Sequence, residues 1–239
     1  MWIFDRLQAQ PAAVDDALGT LQRMQAQGLE PNQVTYATVI TACANAMPAR
    51  VDQAMAMLER MTSQGIEPDQ IVFATVIKTC ANAMPARVDA VMSVLAQMAA
   101  QGLEPNQATF SSVINACANA QPTRVDDAMA MLKRMTARGL IPDQITYASV
   151  INACAIAQPA RVEEAMAMLK RMIGHGILPN HITYSSLINA CANSIPARVE
   201  DALDVMRQMY GRGHFDIVCC FGPFVAQFPA PRRPTQKGV

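Results

Sequence analysis

Aromatic residues make up only 5% of this 239-residue chain, with a single Trp, and there are three His. That leaves little material for base-stacking platforms or for histidine-rich metal sites. An excess of charge is missing too, since 19 Lys+Arg face 19 Asp+Glu. No run of ~18 apolar residues could cross a bilayer as a helix, so no membrane partner is expected. The opening segment, Met1-Trp-Ile-Phe-Asp-Arg6, lacks the basic region and apolar stretch of a secretory signal. Nothing then points to an oxidising compartment, and the seven Cys read as thiols. A metallonuclease aspartate cluster, a deaminase His-x-Glu with paired Cys and a phosphate loop are all lacking. His214, Cys219 and Cys220 do not have the paired-Cys spacing of a zinc site. The expectation is a protein that is not an enzyme and takes no cofactor or metal. Its 51% hydrophobic composition is too apolar for a disordered chain and sufficient for a sizeable core.

What the chain does have is a period of 37 residues. Cys43, Cys80, Cys117, Cys154 and Cys191 each sit in Ala-Cys-Ala, and Tyr36, Phe73, Phe110, Tyr147 and Tyr184 keep the same step. Two proline series obey it as well: Pro11, Pro48, Pro85, Pro122, Pro159 and Pro196, then Pro31, Pro68, Pro105, Pro142 and Pro179. A fixed period of this length replaces domain counting with a one-dimensional stack.

Within the unit 33–69, Tyr36, Val39, Ile40 and Cys43 fall on one helical face. Met47-Pro48 breaks that helix, and a second begins near Ala49 with Val51, Ala54, Leu58 and Met61 inward and Asp52 in its first turn. Gly65 supplies a left-handed stop, Pro68 follows, and Asp69 suits the N-cap of the next helix. Such a hairpin cannot bury its apolar face alone and must stack on its neighbours. The chain therefore divides into a partial unit 1–32, five units (33–69, 70–106, 107–143, 144–180 and 181–217) and a non-repeating tail 218–239. In the partial unit the second helix is expected to start near Ala13, after Pro11.

The segments Val34-Thr-Tyr-Ala-Thr-Val-Ile40, Val51-Asp-Gln-Ala54, Met57-Leu-Glu-Arg-Met61 and Gly65-Ile-Glu-Pro-Asp69 resemble the pentatricopeptide repeat family. The resemblance runs from residue 12 to about 215 and recurs in register. It implies an all-α, right-handed solenoid of stacked helical hairpins that binds single-stranded RNA as a monomer, at about one base per repeat. It also implies a role in organellar RNA processing, stability or translation, in a mitochondrion or chloroplast. No transit peptide is visible in this sequence, and the cytoplasm is the alternative.

Independently of the resemblance, Val34, Ala37, Thr41 and Ala44 share a second face of the first helix, and this stripe is small in every unit. Stacked first helices would join these stripes into a groove that a flat base can approach; Lys78 is its one basic member. By resemblance, the aliphatic residues Val34, Ile71, Ala108, Ile145 and Ile182 would pack on base faces. Ala37, Ala74, Ser111, Ala148 and Ser185, with the unit-terminal Asp69, Asn106, Asp143 and Asn180, would meet base edges. Ser111 with Asp143 is the family's clearest pairing here and favours guanine; the units together suggest guanine, adenine, guanine, adenine from 5′ to 3′.

Plainer roles stand beside these. The terminal Asp and Asn residues also suit helix capping, and the Ala residues suit helix propensity. The periodic Cys, on the apolar face, and the periodic Met read as core; stacked helices ~8–10 Å apart exceed the ~7 Å Cα limit of a disulfide, so the Cys are expected unbridged. Arg50, Arg87, Arg124, Arg161 and Arg198 read as a ladder paired with acids such as Asp52 and Glu163. Residues 1–217 carry 16 Lys+Arg against 19 Asp+Glu, a net of −3 that is short of the basic excess of a nucleic-acid binder. A protein-binding scaffold of tetratricopeptide type is the competing function, although the 34-residue period and early Trp of that family are lacking.

Overall fold

The computed structural model describes residues 2–211, with side chains from 14 to 209, and those residues form helices joined by short connections, with no strand among them. In chain order these are α1 (Trp2–Ala26), α2 (Gln33–Asn45), α3 (Val51–Ser63), α4 (Gln70–Ala81), α5 (Val88–Ala100), α6 (Gln107–Ala118), α7 (Val125–Ala137), α8 (Gln144–Ile156), α9 (Val162–Gly174), α10 (His181–Asn193) and α11 (Val199–Gly211). The end of the fifth unit, His214 and the tail 218–239 lie outside the described residues.

Each unit contributes one even-numbered and one odd-numbered helix. The even helices pack on one another along the chain, while each odd helix packs on its own partner and on the first helix of the next unit. The result is an all-α superhelix of two layers. One continuous core runs between them, built from the periodic aromatics, Cys and Met: Tyr36, Phe73, Phe110, Tyr147, Tyr184, the five Cys and Met61, Met98, Met135 and Met172 are all buried. Full burial of one such side chain is worth about 1.5–3 kcal/mol, so each added unit extends the core by a repeated increment.

The local signals explain the connections. Gly65, Gly102, Gly139 and Gly176 have φ between +71 and +75, the left-handed region that glycine enters without a Cβ penalty. After α3 the Gly65 N–H donates to Thr62 C=O at 3.0 Å and the Ile66 N–H to Met61 C=O at 3.1 Å, a Schellman closure. Within the unit, Pro48, Pro85, Pro122, Pro159 and Pro196 lie in turns as expected, each after a cis peptide bond. The Arg50 N–H closes its turn onto Cys43 C=O at 3.1 Å, and Arg87, Arg124, Arg161 and Arg198 do the same with their cysteines.

Two expectations need correction. The second helices start two residues later than Ala49, at Val51, because Arg50 caps the helix and spends its N–H on the turn. Pro11 does not mark a turn: α1 runs through it as one helix. The surrounding Gln-Ala-rich segment, Leu7-Gln-Ala-Gln-Pro-Ala-Ala13, favours helix. The interruption costs one backbone donor.

Candidate nucleic-acid interface

The first helices present the expected stripe, and its aliphatic members are its most prominent feature. Val34 is 72% exposed, Ile71 73%, Ile145 69% and Ile182 53%, and Ala108 is exposed too. Ala37, Ala74, Ser111, Ala148 and Ser185 are half-buried beside them. The stripe does not run the full helix: Ala81, Ala118 and Ala155, predicted to line it, are buried where adjacent first helices close on one another. The groove continues beside these alanines through Lys78, Asn115 and Asn152, which line its clefts.

Two clefts along this groove gather the predicted residues. One, of 250 Å³, is lined by Ile71, Ala74, Lys78, Asn106 and Ala108, together with Gln70, Thr75 and Ser112. Another, of 360 Å³, brings together Ile145, Ala148, Asn180 and Ile182 with Asn115, Asn152 and Ser149. Each combines aliphatic residues of two successive units with the small residue and the terminal amide between them. A larger open concavity of 1390 Å³ lies between the Pro48 and Pro85 connections and shares Lys78 with the first cleft. Its two guanidinium groups, Arg50 and Arg87, are already paired with Asp15 and Asp52. Lys78 is thus the cation that faces the groove.

The terminal residues cap the next helix in every unit. Oδ1 of Asn32, Asp69, Asn106, Asp143 and Asn180 accepts from the backbone N–H of Thr35, Val72, Thr109, Thr146 and Thr183, at 2.8–3.0 Å. Capping and base contact are compatible because capping uses only one atom. In Asn106 and Asn180 the Thr hydroxyls also donate to Oδ1, leaving Nδ2 outward as a donor. In Asp143 Oδ1 takes both Thr146 donors, at 2.8 and 2.7 Å, leaving Oδ2 as an acceptor. Asp69 differs, since Gln33 Nε2 donates to its Oδ2 at 2.8 Å.

Ser111 and Asp143 are brought together through a residue that the sequence did not single out. The Ser111 hydroxyl lies 2.7 Å from that of Thr146. Thr146 donates its only hydroxyl proton to Asp143, so Ser111 must donate to Thr146 and can offer a base lone pairs alone. The Thr three residues after four of the five terminal Asp or Asn residues, at 35, 109, 146 and 183, is the signal that could have found it. Gln70, Ser112 and Ser149 were also missed; Ser112 turns its hydroxyl back to Ala108 C=O at 2.9 Å, so it lines the cleft with little donor capacity left.

Elsewhere the arginines form the expected ladder. Arg124 and Arg161 bridge the acid of the preceding unit, Asp89 and Asp126, and their own Asp127 and Glu164; Arg198 bridges Glu163 and Asp201. The five cysteines are free and buried, and burial pushes the thiols of Cys80, Cys117 and Cys154 up to about 11.

With this geometry, the family model for the pentacotripeptide-repeat region of PRORP matches residues 49–212, and that for pentatricopeptide repeat-containing protein matches 7–87. The chain belongs to the pentatricopeptide repeat family. No curated protein matches it. Among solved structures, the pentatricopeptide repeat protein PPR10 from maize is 28% identical over 87% of this chain, with a TM-score of 0.64; the chain spans 28% of that protein. PPR10 in complex with an 18-nt psaJ RNA element aligns over 87% of this chain and 33% of that one, at 23% identity and a TM-score of 0.60. The PPR domain of Arabidopsis thaliana protein-only RNase P 1, in complex with tRNA, shows the same fold at 15% identity and a TM-score of 0.62, covering 72% of this chain and 86% of that domain.

Proposed function

We propose that this pentatricopeptide repeat chain binds single-stranded RNA along its first-helix layer, about one base per unit, without cleaving it. The observation that carries this is the cleft joining Ile71, Ala74, Asn106 and Ala108. Exposed aliphatic side chains from two successive units flank a half-buried alanine, and the capping amide of Asn106 uses its Oδ1 alone in the cap, leaving the Nδ2 donor over. A base slotted between the aliphatic residues would lose apolar surface to water, and the amide would meet its edge. The RNA-bound state of the related maize protein supports the same reading. By family resemblance the RNA is an organellar transcript, and the chain acts in its processing, stability or translation.

The test is fluorescence anisotropy of the protein with a labelled single-stranded RNA pool at low salt. Binding that weakens as salt rises, with the RNA recovered intact, is the expected result. Failure to bind any single-stranded RNA at low salt, with a protein captured through Ile71 and Ile145, would replace it with the scaffold function.

A further inference from the structure

The arginine ladder, with the Arg138–Glu104 and Arg207–Asp204 pairs, consumes most guanidinium groups of the described second-helix layer, which makes the exceptions informative. Lys133 and Arg134 in α7, and Lys170 and Arg171 in α9, are exposed and form no ion pair among the described residues. Arg134 and Arg171 lie in the last turns, with Lys133 and Lys170 just before them, of successive second helices that are tied to each other at their opposite ends by Arg161 and Asp126. The two pairs stand at the same place in successive units, so they put four cations on one face of the second-helix layer. The equivalent residues elsewhere are Gln22 with Arg23, whose guanidinium donates to Thr20, Glu59 with Arg60, whose guanidinium donates to Gln25, the uncharged Ala96 with Gln97, and Gln208 with Arg207, which is paired with Asp204.

A second difference falls in the same two units. The residue before the inter-unit proline is Glu30, Glu67 and Glu104 early in the chain, and Ile141 and Leu178 in units three and four. Glu104 neutralises Arg138, whereas units three and four have no acid at that place. Basic residues in a last helical turn are favoured by the helix dipole. That preference does not explain why cations are doubled and acids dropped together in two consecutive units of a chain whose residues 1–217 carry a net of −3.

We propose that Lys133, Arg134, Lys170 and Arg171 form a second RNA contact, on the outer layer, which holds phosphates of the strand beyond the segment lying in the base groove. The inference rests on the proposed RNA-binding function for its ligand. It explains how a chain with one groove-facing cation can hold a polyanion: bases dock on a nearly uncharged surface, and phosphate neutralisation is supplied elsewhere.

The variant Lys133→Gln, Arg134→Gln, Lys170→Gln and Arg171→Gln tests it, and Ala96 and Gln97 show that uncharged residues are compatible with this place in the fold. Three probes are titrated from low to high salt: an RNA of about five nucleotides that only fills the groove, one of about twenty nucleotides, and inorganic polyphosphate, which has no bases. Wild-type protein should bind the longer RNA and polyphosphate, and the variant should lose polyphosphate binding. The variant's affinity for the longer RNA should fall at least about tenfold at low salt, its salt slope becoming shallower by about 2–3 as up to four phosphate contacts are lost. Affinity for the short RNA should be unchanged. Equal binding of the longer RNA and of polyphosphate by variant and wild type would overturn the proposal. Loss of the short RNA alone by wild type would instead count against the groove, leaving the polyphosphate result to decide the patch.

Discussion

The Ser111 hydroxyl lies 2.7 Å from the Thr146 hydroxyl, and the direction of that hydrogen bond is fixed by what Thr146 does next. Because Thr146 donates to Asp143 at 2.7 Å, the third unit keeps two acceptors that the proposed base contact could use: the Ser111 oxygen and Asp143 Oδ2. Guanine carries two adjacent donors, its ring N–H and its amino group, and is the base that matches two acceptors. Thr146→Val would release the Ser111 hydroxyl to donate again. Guanine discrimination at this unit should fall by about 1 kcal/mol, read from affinities for RNAs differing at one base. The fold should tolerate the change, since Val72 already holds the equivalent buried position and Asp69 still caps through the backbone N–H at 2.9 Å.

A pH-dependent stability follows from the buried thiols. Burial pushes Cys80, Cys117 and Cys154 up from the ordinary 9.0 to about 11. Below pH 9.0 both the folded and unfolded chains hold the proton, so pH has no effect through these groups. Between 9.0 and about 11 the unfolded chain releases protons that the folded one retains, so stability falls as pH rises. The melting temperature should therefore decline across this range. A Cys80→Ala, Cys117→Ala, Cys154→Ala protein should start lower, because of the vacated volume, and show a flatter decline. An identical slope in both proteins would mean that the thiols are not the titrating groups.

The arginine ladder predicts a modest, salt-sensitive contribution to stacking. Arg161 joins Asp126 of the preceding second helix at 2.5 Å and Glu164 of its own at 2.7 Å, with its side chain 29% exposed. Arg161→Met keeps the stem packing and removes the bridges. Exposed ion pairs are worth about 0.2–1 kcal/mol each, so denaturant unfolding should show a loss of about 1 kcal/mol that shrinks as salt is added. A loss independent of salt would assign the role to packing instead.

The architecture was legible because each connection has its own chemical signal. Gly65 and its equivalents end one helix, Asp69 and its equivalents cap the next, and Pro48 and its equivalents occupy the turn between. One signal misled: Pro11 belongs to the turn series, yet α1 passes through it, the Gln-Ala-rich segment around it favouring helix. The site was legible residue by residue but not as a network. Helical periodicity places Ile71, Ala74 and Asn106 on the groove, yet it cannot say which atom of a cap remains free or which way a hydroxyl donates. Those depend on contacts between units, such as Gln33 Nε2 to Asp69 Oδ2, that no local pattern contains. The burial of Ala81, Ala118 and Ala155 escaped for the same reason, since it is set by how closely successive first helices approach.

Base choice at the third unit offers the sharpest separation of capping from RNA contact. Asp143 Oδ1 is committed to Thr146, so Asp143→Asn should keep the cap through Oδ1, as Asn106 and Asn180 do, and change only the outward atom from the acceptor Oδ2 to the donor Nδ2. Asn and Asp are similar as caps, so the melting temperature should move little. The base edge meets a reversed partner: an outward donor beside the Ser111 acceptor suits adenine, whose ring nitrogen accepts and whose amino group donates. Affinities for two RNAs differing only in guanine or adenine at this position should exchange rank, by about 1 kcal/mol in each direction. Asp69→Asn provides the internal comparison. Gln33 already occupies Asp69 Oδ2, so that substitution should produce a smaller exchange at the first unit, and Gln33→Ala should enlarge it. An unchanged rank for Asp143→Asn, with the melting temperature preserved, would leave Asp143 as a helix cap and remove it from base recognition.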